Sequence, residues 1–157
     1  MEKSHTYRIN VTWTGNKGQG TESYLAYERE HLLSVINKPD LICSSDPAFR
    51  GDPTKYNPEE MLVYALSACH MLWYLHLCSI EGVQVLTYKD EAKGVLMESQ
   101  DMGGRFKEVL LNPQVKVPKA SMLEKAISLH RKAKELCFIA SSVNFPVHHN
   151  SVVSLDK

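Results

Sequence analysis

Twenty consecutive residues without a formal charge, Met61 to Ile80, constrain this chain more than any other stretch. Just before them, Asn57 offers a side-chain cap and Pro58 suits the first helical position. Glu60 stands three residues after Asn57, as a capping box requires. Gly82 supplies a stop. A long helix is predicted between these signals. Its length matches a membrane span, but Ser67, His70, His76 and Ser79 interrupt it, and Tyr64 and Tyr74 add hydroxyls. A helix apolar on nearly every face otherwise belongs at the centre of a fold or at a subunit interface. No membrane partner is expected.

The 157 residues fit one domain, 1–157, with room for a core of its own. Lys plus Arg and Asp plus Glu each total 18, so no basic field invites nucleic acid. Four cysteines are too sparse for a disulfide scaffold. The start, Met1 to Thr6, has no apolar stretch after its charges, so no secretory signal and a reducing, cytoplasmic setting are expected. There a cysteine pair is read as catalytic or metal-binding rather than as a permanent staple.

Around the central helix the pattern is mixed. Tyr7 to Trp13 alternates polar and apolar residues as a half-buried strand does, and Ser23 to Ile36 predicts one or two more strands. Asp46-Pro47 and Asp52-Pro53 bracket a shaped loop containing Phe49-Arg50-Gly51. Val83 to Met97 and Arg105 to Val117 read as strands joined through a hairpin at Asp101 to Gly104. Ser121 and Glu124 suggest a second capping box, before an amphipathic helix carrying Leu123, Ile127, Leu129, Ala133 and Leu136. His130 to Lys134 reads as a solvated basic face complementing the helix dipole, and Val147 to Val153 as a closing strand. Strands, a helix, more strands and a second helix make an α+β fold.

Helix geometry separates the thiols. Cys69 and Cys78 are nine residues apart on one helix, about 13 Å of rise and about half a turn out of phase, and cannot bridge. Cys78 reads as a small core hydrophobe, and Cys43 has no assigned role. Cys69 has Ser67 and Ala68 beside it; Cys137 has Ala140 and Ser141. On the residues alone these two are either a redox pair or two structural cysteines, since thiols are among the most buried side chains. His70, His76, Cys69, Cys78 and His148-His149 match no zinc spacing, so no metal is expected, and histidines on a buried helix read as hydrogen-bonded core residues. No cofactor is expected either.

Asn57-Pro58-Glu59-Glu60 followed by Ala68-Cys69, with Cys137-Phe138-Ile139-Ala140-Ser141 near the end, closely resembles the OsmC/Ohr family. These are the osmotically inducible protein C and organic hydroperoxide resistance proteins. The likeness covers nearly the whole chain in element order. It implies an OsmC-like fold, with antiparallel sheets around a long central helix in an intertwined homodimer. It also implies a peroxiredoxin-like thiol peroxidase acting on organic hydroperoxides. In that mechanism Cys69 attacks the peroxide, Cys137 resolves the product as a disulfide, and an external dithiol reductant recycles the pair. Arg50 matches the arginine that tunes the first thiol, with Arg29 in reserve, and Glu59 matches the glutamate. His70-Met71-Leu72-Trp73 after the first cysteine, and Phe138 where proline often follows the second, depart from the commonest pattern and indicate a less-characterised subgroup.

Physically, a mid-helix thiol in apolar surroundings needs a nearby arginine to favour its thiolate. Glu59 would hold that arginine by a charge-assisted hydrogen bond. Glu59 and Cys69 are about 15 Å apart along a straight helix, so one helix does not bring both to one site. Two central helices packed antiparallel about a two-fold axis would, which predicts an obligate homodimer with composite active sites. The rival readings are a non-catalytic binder of apolar ligands, in which the thiols are packing, and a hydrolase with Cys69 as acyl-transfer nucleophile. His70 is a poor base for the latter, because neighbouring helical residues point about 100° apart.

Overall fold

A computed structural model describes residues 3–101 and 103–156. Met1 and Glu2 of the expected signal-free start, and Met102 of the expected hairpin, lie outside the described residues. The chain forms two compact units, Met1–Met61 and Leu62–Lys157, with the boundary inside the central helix.

In the first unit, β1 (Asn10–Trp13), β2 (His31–Ser34) and β3 (Leu41–Cys43) make an antiparallel meander, with Asn10 opposite Ser34 and Leu33 opposite Leu41. Ser23 to Ile36 yields a single strand because its first half is committed to turns. Asn16 Oδ1 accepts from the backbone N–H groups of Gly18 and Gly20, and the Arg29 guanidinium donates to the carbonyls of Tyr24 and Tyr27. β1 is exposed along its whole length rather than half-buried. Among the described residues of this unit, Cys43 is the only buried apolar side chain.

The helix start is built as its residues direct. Asn57 Oδ1 accepts from the Glu60 N–H at 2.8 Å, and the Glu60 carboxylate accepts from the Asn57 N–H at 3.1 Å. Helix α1 then runs unbroken from Pro58 to Ile80 and is followed by Gly82 at φ 72°. Gly tolerates this left-handed conformation without a Cβ clash. The helix is long and apolar enough to cross a membrane, and only 28% of its most apolar stretch is buried within this chain.

In the second unit, α1 buries one stripe, Leu66, His70, Tyr74, Leu77 and Cys78, at spacings of about one turn. Val83 to Met97 divides into β4 (Thr87–Asp90) and β5 (Lys93–Glu98). Arg105 to Val117 divides into β6 (Gly104–Leu111) and β7 (Pro113–Val117), whose alternation places Pro113, Val115 and Val117 inside. α2 spans Leu123–Leu136, and two short strands, β8 (Val147–His149) and β9 (Val152–Leu155), close the chain. The sheets are ordered β4-β7-β9 and β5-β6-β8. The α+β architecture is the expected one, but neither of these sheets is purely antiparallel: β8 lies parallel to β6 and β9 parallel to β7. The intervening α2 supplies the crossover that a parallel return requires.

Two details of α2 differ from expectation. A short 3-10 turn, Ala120–Met122, leads into it and no side chain caps its start, so the Ser121–Glu124 capping box does not form. Its inner face is Ala126, Leu129, His130 and Ala133, while Ile127 is exposed. His130 therefore belongs to the core and not to the solvated basic face.

Candidate active site

Cys69 lies midway along α1 and is partly accessible; Cys137 ends α2 and is 1% exposed. The second thiol lies just past the last helical residue, Leu136. Its backbone turns extended (φ −69°, ψ 108°), and the following 3-10 turn, Ala140–Ser142, folds back over it. The Ala140 N–H points at Cys137 Sγ, 3.5 Å away, and Ser141 donates to the Cys137 carbonyl through both its N–H and its hydroxyl.

The structure brings the two thiols near each other: Cys69 is a neighbour close enough to act on the Cys137 thiol. Both are free thiols. Burial is the main influence on Cys137, and with the neighbouring Cys69 it pushes this thiol well above the usual thiol range, against the pull of the Ala140 and Ile139 amides. Cys137 is thereby held protonated at neutral pH. Beside the pair, the indole of Trp73 meets the ring of Phe138 edge-on at 5.4 Å, so the residue following Cys137 contacts the helical turn following Cys69. Cys78 is buried among apolar residues, as expected for a core hydrophobe, and burial raises its thiol too.

Arg50 and Glu59 belong to the first unit. Arg50 is exposed, adopts φ 66°, and terminates the 3-10 turn Pro47–Phe49. Asp46 builds this loop: its side chain accepts from the Ala48 N–H, and its carbonyl from Phe49 and Gly51. Gly51 is required here, because a Cβ would fall 1.6 Å from the Ser45 carbonyl oxygen. The Arg29 guanidinium packs over the rings of Tyr24 and Tyr27 at 4.2 and 4.1 Å, and that of Arg50 lies 5.9 Å from the Tyr24 ring. Glu59 is half-buried at the start of α1. Among the described residues, no ion pair joins Glu59 to Arg50 or Arg29 within the chain.

One polar cluster went unforeseen as a unit. His70 on α1 stands between His149 on β8 and His130 on α2: His149 Nε2 is 3.1 Å from His70 Nδ1, and His70 Nε2 is 3.1 Å from His130 Nδ1. Tyr74, one turn after His70, stacks its ring on His130 at 3.8 Å and donates its hydroxyl to the Ala126 carbonyl. Burial lowers all three imidazoles, His70 and His130 to about 4 and His149 to about 3, with Lys134 adding repulsion at His70 and His149. Three neutral rings carry one N–H each, so every link has one donor and one acceptor in either of two tautomeric arrangements. The chain ends at His130 Nε2 and His149 Nδ1, which are buried without a hydrogen-bond partner. His130 follows Ala126 by four residues and His149 follows buried Val147 by two, and these spacings were the only sequence signal for their burial. Among the described residues, no group of three or more His, Cys, Asp or Glu is arranged to hold a metal ion. Each facing pair of imidazole nitrogens is satisfied by a hydrogen bond instead.

The sequence pattern of the OsmC-like protein family matches residues 51–151. No curated protein matches the chain. Among solved structures, the chain is similar to an OsmC-like protein of unknown function from Vibrio cholerae O1 biovar eltor, at 28% identity and TM-score 0.85, over 95% of this chain and 100% of that one. It shares its fold with an organic hydroperoxide resistance protein OsmC from Legionella pneumophila, at 15% identity and TM-score 0.70, over 98% and 99% of the two chains. It does so also with an organic hydroperoxide resistance protein from Elizabethkingia anophelis, at 18% identity and TM-score 0.68, over 98% and 100%. The matched segment includes α1, both thiols and all three linked histidines, and the chain belongs to the OsmC-like protein family.

Proposed function

We propose that this protein is a thiol-dependent peroxidase that reduces organic hydroperoxides, with Cys69 as the attacking thiol and Cys137 as the resolving one. The observation that carries this reading is the contact between the two free thiols. Their unequal environments support these roles. Cys69 is the more accessible, and Cys137 is buried and held protonated, which suits a group that waits for an oxidised partner. The names borne by the Legionella and Elizabethkingia proteins agree with this activity.

The Cys69 thiolate attacks the outer peroxide oxygen, and the O–O bond breaks. A proton goes to the departing alkoxide, giving an alcohol and a Cys69 sulfenic acid. The Cys137 sulfur then displaces hydroxide from that acid, and its proton leaves with it as water, forming the Cys69–Cys137 disulfide. An external dithiol restores both thiols by exchange and is itself oxidised to a disulfide. Arg50, held by Glu59, stabilises the Cys69 thiolate, with Arg29 as the reserve. Trp73 and Phe138 give the site an apolar wall suited to an organic rather than a mineral peroxide.

The same reading includes a cytoplasmic homodimer in which the 157 residues act as one OsmC-like domain and each site draws on both subunits. The first unit buries almost no apolar surface of its own, and Ile36 and Val11 are 83% and 63% exposed. On α1, Tyr64 and Leu72 are 66% and 62% exposed. A largely exposed sheet edge and an uncharged helix side each favour cover by a second copy.

The test is to treat the reduced protein with cumene hydroperoxide and map the joined cysteines by mass spectrometry. A Cys69–Cys137 bridge is expected. Consumption of peroxide without that bridge would sink the two-thiol mechanism, and no consumption would sink the peroxidase reading.

A further inference from the structure

The linked histidines tie together α1, α2 and β8 by hydrogen bonds. His70 directly follows Cys69 on α1, and His130 lies on α2, the helix that ends at Cys137. Tyr74 adds a second grip one turn later on α1 and one turn earlier on α2, its ring on His130 and its hydroxyl on the Ala126 carbonyl. Two contacts spaced by one turn on each of two helices fix both the axial register and the rotation of one against the other. Apolar packing alone allows small slides, whereas a donor–acceptor chain at 3.1 Å per link does not. This chain also leaves two buried ring nitrogens without partners, a cost that a purely structural core would avoid with apolar residues.

We propose that His149, His70 and His130, with Tyr74, are positioning residues that set the separation and orientation of Cys69 and Cys137. The inference rests on the proposed function only in taking these two cysteines as the working pair. None of the four touches substrate. They act through the helices, holding the pair close enough for one sulfur to displace a leaving group from the other.

Equilibration of the full-length reduced protein with glutathione redox buffers reads this directly: two protein thiols and one glutathione disulfide give the protein disulfide and two glutathiones. No hydroperoxide is involved, so failure of the peroxidase reading and failure of this one are separable. His130→Leu and His149→Leu each delete a link. Asn at 130 presents an amide where Nδ1 stood, and Gln at 149 presents one where Nε2 stood, so His130→Asn and His149→Gln keep it. The leucine variants are expected to lower the equilibrium constant for disulfide formation by about tenfold or more, and the amide variants to stay within about twofold of the native protein. Folded leucine variants with the native constant would overturn the proposal, as would folded amide variants as impaired as the leucines. Should the leucine variants not fold, the native protein decides. Coupling is reciprocal, so closing the disulfide with oxidised glutathione must perturb the ¹⁵N resonances of the His149 ring, which is linked to α1 through His70. A His149 ring indifferent to oxidation would refute the role.

Discussion

Cys137, at the extended end of α2, keeps its buried thiol beside that of Cys69 in the middle of α1. The pair is asymmetric, one sulfur partly open and the other enclosed under Ala140–Ser142. That asymmetry separates the two thiols in any experiment.

Cys69→Ser is expected to lower hydroperoxide turnover by about a thousandfold or more. Cys137→Ser is expected to permit a single oxidation of Cys69 and then stop, accumulating sulfenic acid and higher oxides. Peroxide consumption under excess dithiol, with mass spectrometry of the products, checks both. A hydrolase would need Cys69 alone, and a non-catalytic binder would be indifferent to either change.

The histidine chain predicts acid lability. Its members have folded-state values of about 4, 4 and 3, below the ordinary imidazole value of 6.5. The unfolded chain therefore takes up protons first as pH falls. Stability is complete above pH 6.5 and drains away from there to about pH 4 for His70 and His130 and to about pH 3 for His149, by up to about 1.4 kcal/mol per pH unit for each histidine. Urea midpoints at pH 7, 6 and 5 measure this. His149→Gln should flatten the slope by roughly one proton's worth.

Tyr74 is fully buried and combines ring stacking on His130 with a hydroxyl bond to the Ala126 carbonyl. Tyr74→Phe keeps the ring and is expected to cost about 1 kcal/mol. Tyr74→Ala also empties the space between the helices and should cost about 3–5 kcal/mol. Chemical denaturation distinguishes the two.

Leu72→Glu places a charge on the exposed side of α1. If a second copy covers that side, the variant is expected to sediment as a monomer and to lose activity through incomplete sites. A native dimer that tolerates the change would place the interface elsewhere.

The capping box at Asn57 predicts a loss of about 1 kcal/mol in Asn57→Ala, readable in the thermal midpoint, because the Glu60 N–H loses its side-chain acceptor.

Local chemistry was legible without coordinates. The capping box, the run from Pro58 to Ile80 and the Gly82 stop all follow from side-chain hydrogen bonding and periodicity within a few residues. The Ser121–Glu124 capping box was equally local in appearance, yet the 3-10 turn at Ala120–Met122 displaces the helix start and leaves it uncapped. Strand direction was not legible, since the parallel placement of β8 on β6 and β9 on β7 depends on where α2 returns the chain.

The sequence by itself determined the central helix and its ends, because helix caps and the absence of charge act over short range, and its resemblance to a family nominated the two thiols. Only the tertiary structure decided that Cys137, 68 positions beyond Cys69, meets it, and that a residue in a run of basic ones, His130, is core. Nothing in the spacing of His70, His130 and His149 relates them. Their hydrogen bonds exist because α1, α2 and β8 pack together, and packing sums over the whole unit.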